Sequence, residues 1–144
     1  MVEAIVGLKG SGKTSLLVDE INRHAGDGSE NLICIEHGRR MDRVIPYQVR
    51  LIDITEYPVC GYDQLLSFLA GMNAKDYDIS HIYIDSIFKI ANDSNLDNLG
   101  EFMKKLDILT KELDFAVTIT ISVDPDELPD SVKAYVRPDA DAKD

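Results

Sequence analysis

The sequence predicts an α/β domain built on a mainly parallel sheet, and three observations carry that reading. Short β-branched runs alternate with segments of helical period along the whole chain, the order that parallel strands joined by crossover helices require. Leu32 to Ile35 is apolar throughout, as a strand covered on both faces must be. A glycine-rich turn joins the first strand directly to the first helix.

Taken in order, Val2 to Val6 is the first strand, and a helix follows from about Gly12 to His24 with Leu16, Leu17 and Ile21 on one face. Gly26-Asp27-Gly28 ends it. The second strand, Asn31 to Ile35, stops at the polar cluster Glu36-His37-Gly38-Arg39-Arg40. Val49 to Ile54 is a third strand whose imperfect alternation suits a sheet edge. Tyr62, Leu65, Leu66, Leu69 and Met72 recur at three- and four-residue intervals, which marks a helix closing near 71–73. Ile79 to Ile84 is a strand that ends in Asp85. The longest helical stripe runs from Leu96 to Leu113, with Asp93 or Ser94 as its N-cap. Phe115 to Ile121 is a further strand, and Leu128, Val132, Tyr135 and Val136 form a last short helix after the Asp124-Pro125 turn. Residues 1–137 read as one nucleotide-binding domain and 138–144 as an acidic, disordered tail.

A chain of 144 residues with 44% hydrophobic content has the size and apolar surface of one compact core. Its 15 basic and 26 acidic residues leave a net charge of −11, a field that repels phosphate backbones and acidic lipid surfaces. Nucleic acid and membranes are therefore not expected as partners. Cys34 and Cys60 lack any metal-ligand spacing, and no apolar run approaches the roughly 20 residues of a membrane-spanning helix. With no basic n-region before Val2 to Val6, the expectation is a cytoplasmic protein with reduced thiols.

Gly7-Leu8-Lys9-Gly10-Ser11-Gly12-Lys13-Thr14 fits G-x-x-x-x-G-K-[ST] and lies where its chemistry needs it, after a strand and opening a helix. Consecutive amides of such a P-loop (Walker A motif) turn around a phosphate, and the helix start adds its positive dipole end. Gly7, Gly10, Ser11, Gly12, Lys13 and Thr14 are the expected nucleotide contacts. Lys13 reaches the β- and γ-phosphates, and the Thr14 hydroxyl ligates Mg²⁺. Lys9, at a variable position of the loop, is read as solvated.

A second magnesium partner is expected at the end of a buried strand, and Asp85 in Ile82-Tyr83-Ile84-Asp85-Ser86 supplies it. Ser86 either orients that carboxylate or begins the turn. Hydrolysis also needs a group that positions or deprotonates water, and Glu36 ends a parallel strand at the same sheet edge. The expected catalytic residues are thus Lys13 and Glu36. Arg39, Arg40 and Arg43 cluster just after Glu36, where an arginine could contact the γ-phosphate or reach across a subunit interface as an arginine finger; the preferred reading is that they are solvated or ion-paired, and His24, His37 and His81 show no ligand spacing.

On Ile5-Val6-Gly7, Ile33-Cys34-Ile35-Glu36-His37 and Tyr83-Ile84-Asp85-Ser86, the chain resembles P-loop ATPases of the RecA and KaiC group over Val2 to Asp124. The resemblance implies a three-layer P-loop NTPase fold with helices on both faces, a sheet order 3-2-4-5-1, and Ser122 near the γ-phosphate. It implies ATP and Mg²⁺ as ligands and hydrolysis as the reaction. About twenty residues follow Asp124, which departs from the group's further strands and DNA-contacting loops, so strand exchange is not expected.

Ile121-Ser122-Val123-Asp124 matches only the last position of a GTPase Asn-Lys-x-Asp reader, which favours ATP over GTP, and Asn92-Asp93-Ser94-Asn95 is not an arginine-rich kinase lid. The leading expectation is a RecA-like ATPase. A non-hydrolysing nucleotide switch that orders Glu36 to Tyr47 for a protein partner, and a nucleoside-type kinase, are the alternatives. If the phosphate strand lies at the sheet edge, the last helix or a second copy must cover it, and self-association is expected on that ground.

Overall fold

The computed structural model describes residues 1–26 and 28–138. Asp27 of the predicted helix terminator, and residues 139–144 of the predicted acidic tail, lie outside the described residues. Strands β1 (Val2–Gly7), β2 (Leu32–Glu36), β3 (Arg50–Asp53), β4 (His81–Ile84) and β5 (Ala116–Ser122) form one sheet in which every pairing is parallel. Its order is β1-β5-β4-β2-β3, which is 3-2-4-5-1 read from the other edge. With β3 at one edge and β1 at the other, the carboxyl ends of all five strands lie on one side.

Alternating side chains send two cores to opposite faces, because successive residues of a strand point to opposite sides. On one face Ile5, Cys34 and Tyr83 pack with Leu17 and Ile21 of α1 (Lys13–Ala25) and with Met41, Ile45 and Val49 of the loop after β2. The other face carries a larger core. There Ile33, Ile35, Ile82, Ile84, Val117 and Ile119 meet α2 (Tyr62–Lys75), α3 (Ile87–Ala91), α4 (Leu96–Leu113) and α5 (Asp130–Lys133). This is the three-layer arrangement that the sequence predicts.

Some local details differ from the sequence-based expectation. The α4 N-cap is Asn95, whose side chain accepts the Asn98 amide at 2.9 Å. Asp93, one of the two residues expected there, instead accepts the Asn95 amide at 2.8 Å and so fixes the cap from two residues upstream. The five residues of α3 are too few to show a helical period, and no strand or turn signal marks them. Gly100 of α4 lies so close to α5 that a Cβ there would overlap Ser131 Oγ.

The last predicted helix ends early, because Tyr135 and Val136 leave α5 to run along β1. Ala4 donates to the Tyr135 carbonyl and accepts from the Arg137 amide, both at 2.8 Å. The open edge that motivated self-association is thus bridged from within the chain at Ala4.

A polar cluster closes the amino-terminal end of the α1 face. Arg137 donates to Glu20 of α1 at 2.6 Å and to Glu3 of β1 at 2.7 Å, and the Glu20 side chain is only 8% exposed. His24 Nδ1 lies 2.5 Å from the Tyr83 hydroxyl, and His81 Nε2 lies 2.7 Å from Thr118 Oγ1. The His81 and Tyr83 rings stack with centroids 4.1 Å apart. Burial holds the His81 pKa down at about 4, the nearby Glu20 carboxylate opposing that shift and His24 adding to it.

Candidate functional site

Building from the first turn, the P-loop backbone needs its glycines for two separate reasons. Gly10 and Gly12 sit at φ +86° and +92°, where a Cβ clashes with the backbone. Gly7 is constrained by space, since a Cβ there would overlap Ser11 Oγ. Gly12 caps α1 without any side-chain hydrogen bond, and the first turn of the helix holds no acidic residue. The first amides and the positive dipole end of α1 are therefore left without a cap or an acidic side chain from the helix itself. Lys13 is buried, and its Nζ donates to the Leu8 carbonyl at 3.0 Å. Burial lowers its pKa, and the nearby Asp85 charge opposes that shift.

Asp85 has no exposed surface. Thr14 Oγ1 lies 3.1 and 3.2 Å from its two carboxylate oxygens, which brings together the two residues expected to hold magnesium. Thr120 of β5 donates its hydroxyl to Asp85 Oδ1 at 2.8 Å and accepts the Ser86 amide at 2.7 Å. Thr120 is therefore the residue that orients the carboxylate, whereas Ser86, at φ +68°, begins the turn. The sequence signal for Thr120 is slight: a polar residue at the period-two position beside Thr118 in an otherwise apolar strand.

A hydroxyl beside a carboxylate is a hard-oxygen pair that suits Mg²⁺ completed by phosphate oxygens and water. Among the described residues no group of three His, Cys, Asp or Glu side chains could hold an ion unaided. The donor set fits a metal that arrives with a phosphate ligand.

Glu36 ends β2 on the predicted edge, fully buried. Its two carboxylate oxygens accept the Arg40 and Met41 amides at 3.2 Å each. Burial raises its pKa, and those two hydrogen bonds pull the other way. The sequence suggests a water-positioning role for this carboxylate, and the structure gives it a loop to hold.

A cleft of about 310 Å³ opens between the P-loop and the ends of β4 and β5, lined in part by Lys9, Lys13, Thr14, Arg40, Ser86 and Ser122. Lys9, read as solvated from sequence, and Arg40, read as solvated or ion-paired, thus border the site. Arg40 Nη2 is 3.8 Å from Asp85 Oδ2. Arg39 pairs with Glu56 across the loop, and Arg43 is exposed. A larger cavity of about 630 Å³ lies between β3 and α2 among Ile52, Phe68 and Met72, and none of the predicted site residues lines it.

Solved structures share this geometry at the level of the fold. The flagellar accessory protein FlaH from Methanocaldococcus jannaschii superposes on 92% of the chain with a TM-score of 0.58 and 19% identity. The fold is RecA-like. The chain spans 65% of the FlaH chain's length. No family model and no curated protein matches the sequence. Within the RecA-like fold, the P-loop and the Asp85 carboxylate occupy the carboxyl edge of the sheet, where open α/β sheets bind ligands. Among the described residues no helix is long and apolar enough to cross a membrane.

Proposed function

We propose that this chain binds Mg-ATP in its P-loop and hydrolyses it slowly. The observation that carries the reading is the Thr14–Asp85 pair, a hydroxyl and a buried carboxylate in contact beside a glycine-shaped phosphate loop. In this reading the loop amides and the α1 amino terminus cradle the phosphates, Lys13 turns from the Leu8 carbonyl to the β- and γ-oxygens, and Thr120 keeps Asp85 aimed at the metal. When bound, Mg²⁺ would neutralise charge on the phosphate oxygens. Preference for adenine rests on the missing Asn-Lys-x-Asp reader.

Slow turnover follows from Glu36. Its two oxygens already accept amides, so it aligns a water only if the loop after β2 gives one of them up. The same observation supports a second reading, a nucleotide switch in which this loop reports the bound state to a protein partner. Phosphate release by the wild type and by Glu36→Gln, with binding confirmed in both, separates the two. Turnover lost in the variant with binding retained supports the ATPase, and binding without turnover in either supports the switch. Lys13→Ala should weaken Mg-ATP binding about 10- to 100-fold, the worth of one charge-assisted contact. Undiminished affinity in that variant would overturn the phosphate site.

A further inference from the structure

We propose that Arg40 forms a third-phosphate subsite selecting nucleoside triphosphates over diphosphates, and that buried Glu36 is the positioning residue that holds Arg40 there. The inference rests on the reading that the P-loop binds a nucleotide. Along the carboxyl edge the sheet order places the P-loop after β1, Ser122 at the end of β5, Asp85 and Ser86 after β4, and Arg40 in the loop after β2. A diphosphate wrapped by the P-loop amides ends beside Thr14 and Asp85. The next group toward β2 meets Arg40, whose guanidinium lines the same cleft and sits 3.8 Å from the Asp85 carboxylate.

Arg40 is held there by its backbone. Glu36 accepts its amide and that of Met41, while the Met41 side chain is only 3% exposed in the core against α1. The loop is thus pinned from both sides of the peptide that carries Arg40, and the long side chain, more than half exposed, projects into the cleft. The partners also differ along the loop. Arg39 is committed to Glu56, whereas Asp85, the one carboxylate within ion-pair distance of Arg40 among the described residues, already receives hydrogen bonds from Thr14 and Thr120. Once that carboxylate faces a divalent cation, its attraction for the guanidinium falls, and a terminal phosphate is the anion within reach.

The test is equilibrium binding of ADP and of a non-hydrolysable ATP analogue, both with Mg²⁺, to the wild type, Arg40→Ala, Arg40→Lys and Glu36→Ala. Arg40→Ala should lose about tenfold or more in triphosphate affinity and stay within about twofold for the diphosphate. Arg40→Lys should recover part of the loss, because an ammonium keeps the charge without the fork. Glu36→Ala should shift the triphosphate-to-diphosphate ratio in the same direction, which a merely structural loss, lowering both affinities alike, would not do. An unchanged ratio in Arg40→Ala overturns the subsite, and that exposed-side-chain variant decides the question even if Glu36→Ala does not fold. Failure of the wild type to bind either nucleotide overturns the underlying reading instead.

Discussion

The two ends of the sheet face beneath α1 are both polar, and the proposed nucleotide site occupies only one of them. Along β4 the residues on this face are His81, Tyr83 and, just past the strand, Asp85; along β5 they are Thr118 and Thr120. The strand centres are apolar, with Ile5, Cys34 and Tyr83 under Leu17 and Ile21. At the amino-terminal end the charges meet opposite charges, Arg137 lying between Glu3 and Glu20. At the carboxyl end the cations are left with weaker company: Lys13 rests on a backbone carbonyl and Arg40 stands 3.8 Å from its carboxylate. Buried polarity alone therefore does not mark a site. Loosely partnered cations on a cleft, beside amides with no side-chain cap, are the better sign of an anion site.

Substitutions at the two ends should separate stability from binding. Arg137→Ala leaves the Glu20 carboxylate buried without its ion-pair partner and should cost about 3 to 5 kcal/mol, read as a lower urea midpoint. Nucleotide affinity of the folded fraction should barely move; a large loss there would erase the distinction between the ends. His81 sharpens the same point through pH. Its pKa is depressed from 6.5 to about 4, so its contribution is complete above pH 6.5 and is lost as pH falls toward 4, on the order of 3 kcal/mol over that window. His81→Gln should flatten stability against pH between those limits. Glu20, whose pKa is lowered by Arg137, adds its own loss only below the usual carboxylate range and should persist in that variant.

At the other end, Gly7→Ala pushes a methyl against Ser11, turns its hydroxyl aside and should weaken nucleotide binding by about tenfold with little change in the urea midpoint. A variant that binds normally would show that the loop is looser than its packing implies. Tyr83→Phe is the mildest change. It removes the hydroxyl that meets His24 and should cost about 1 kcal/mol by chemical denaturation, with nucleotide affinity intact.

Legibility in the sequence followed locality. The P-loop is eight consecutive residues whose spacing encodes a backbone shape, and Asp85 stands at the end of an apolar run, so both could be named without coordinates. The strands were legible because continuous β-branched runs have few other uses in an α/β domain. Thr120 was hidden because a threonine inside a strand is ordinary, and its importance lies in the pairing that sets β5 beside β4. Arg40 looks like any arginine in a polar loop until Glu36 and Met41 are seen to pin its peptide. The cluster around Arg137 gathers Glu3 of β1, Glu20 and His24 of α1 and His81 of β4, and no spacing could have joined these three segments.

The short run of Tyr135 to Arg137 along β1 has a consequence for how the protein is made. A chain released or clipped after Ala134 would keep the residues of its P-loop and of all five strands but lose Tyr135 and Val136 from the margin of the larger core, and Ala4 would present a bare amide and carbonyl on the outermost strand. Glu20 would be left charged beneath it without its guanidinium. Such a fragment would carry a sticky seam along its first strand, open to pairing with the same seam on another molecule. Three residues near the end of the described chain thus act as a selvedge, the finished border that keeps a woven edge from fraying into its neighbours.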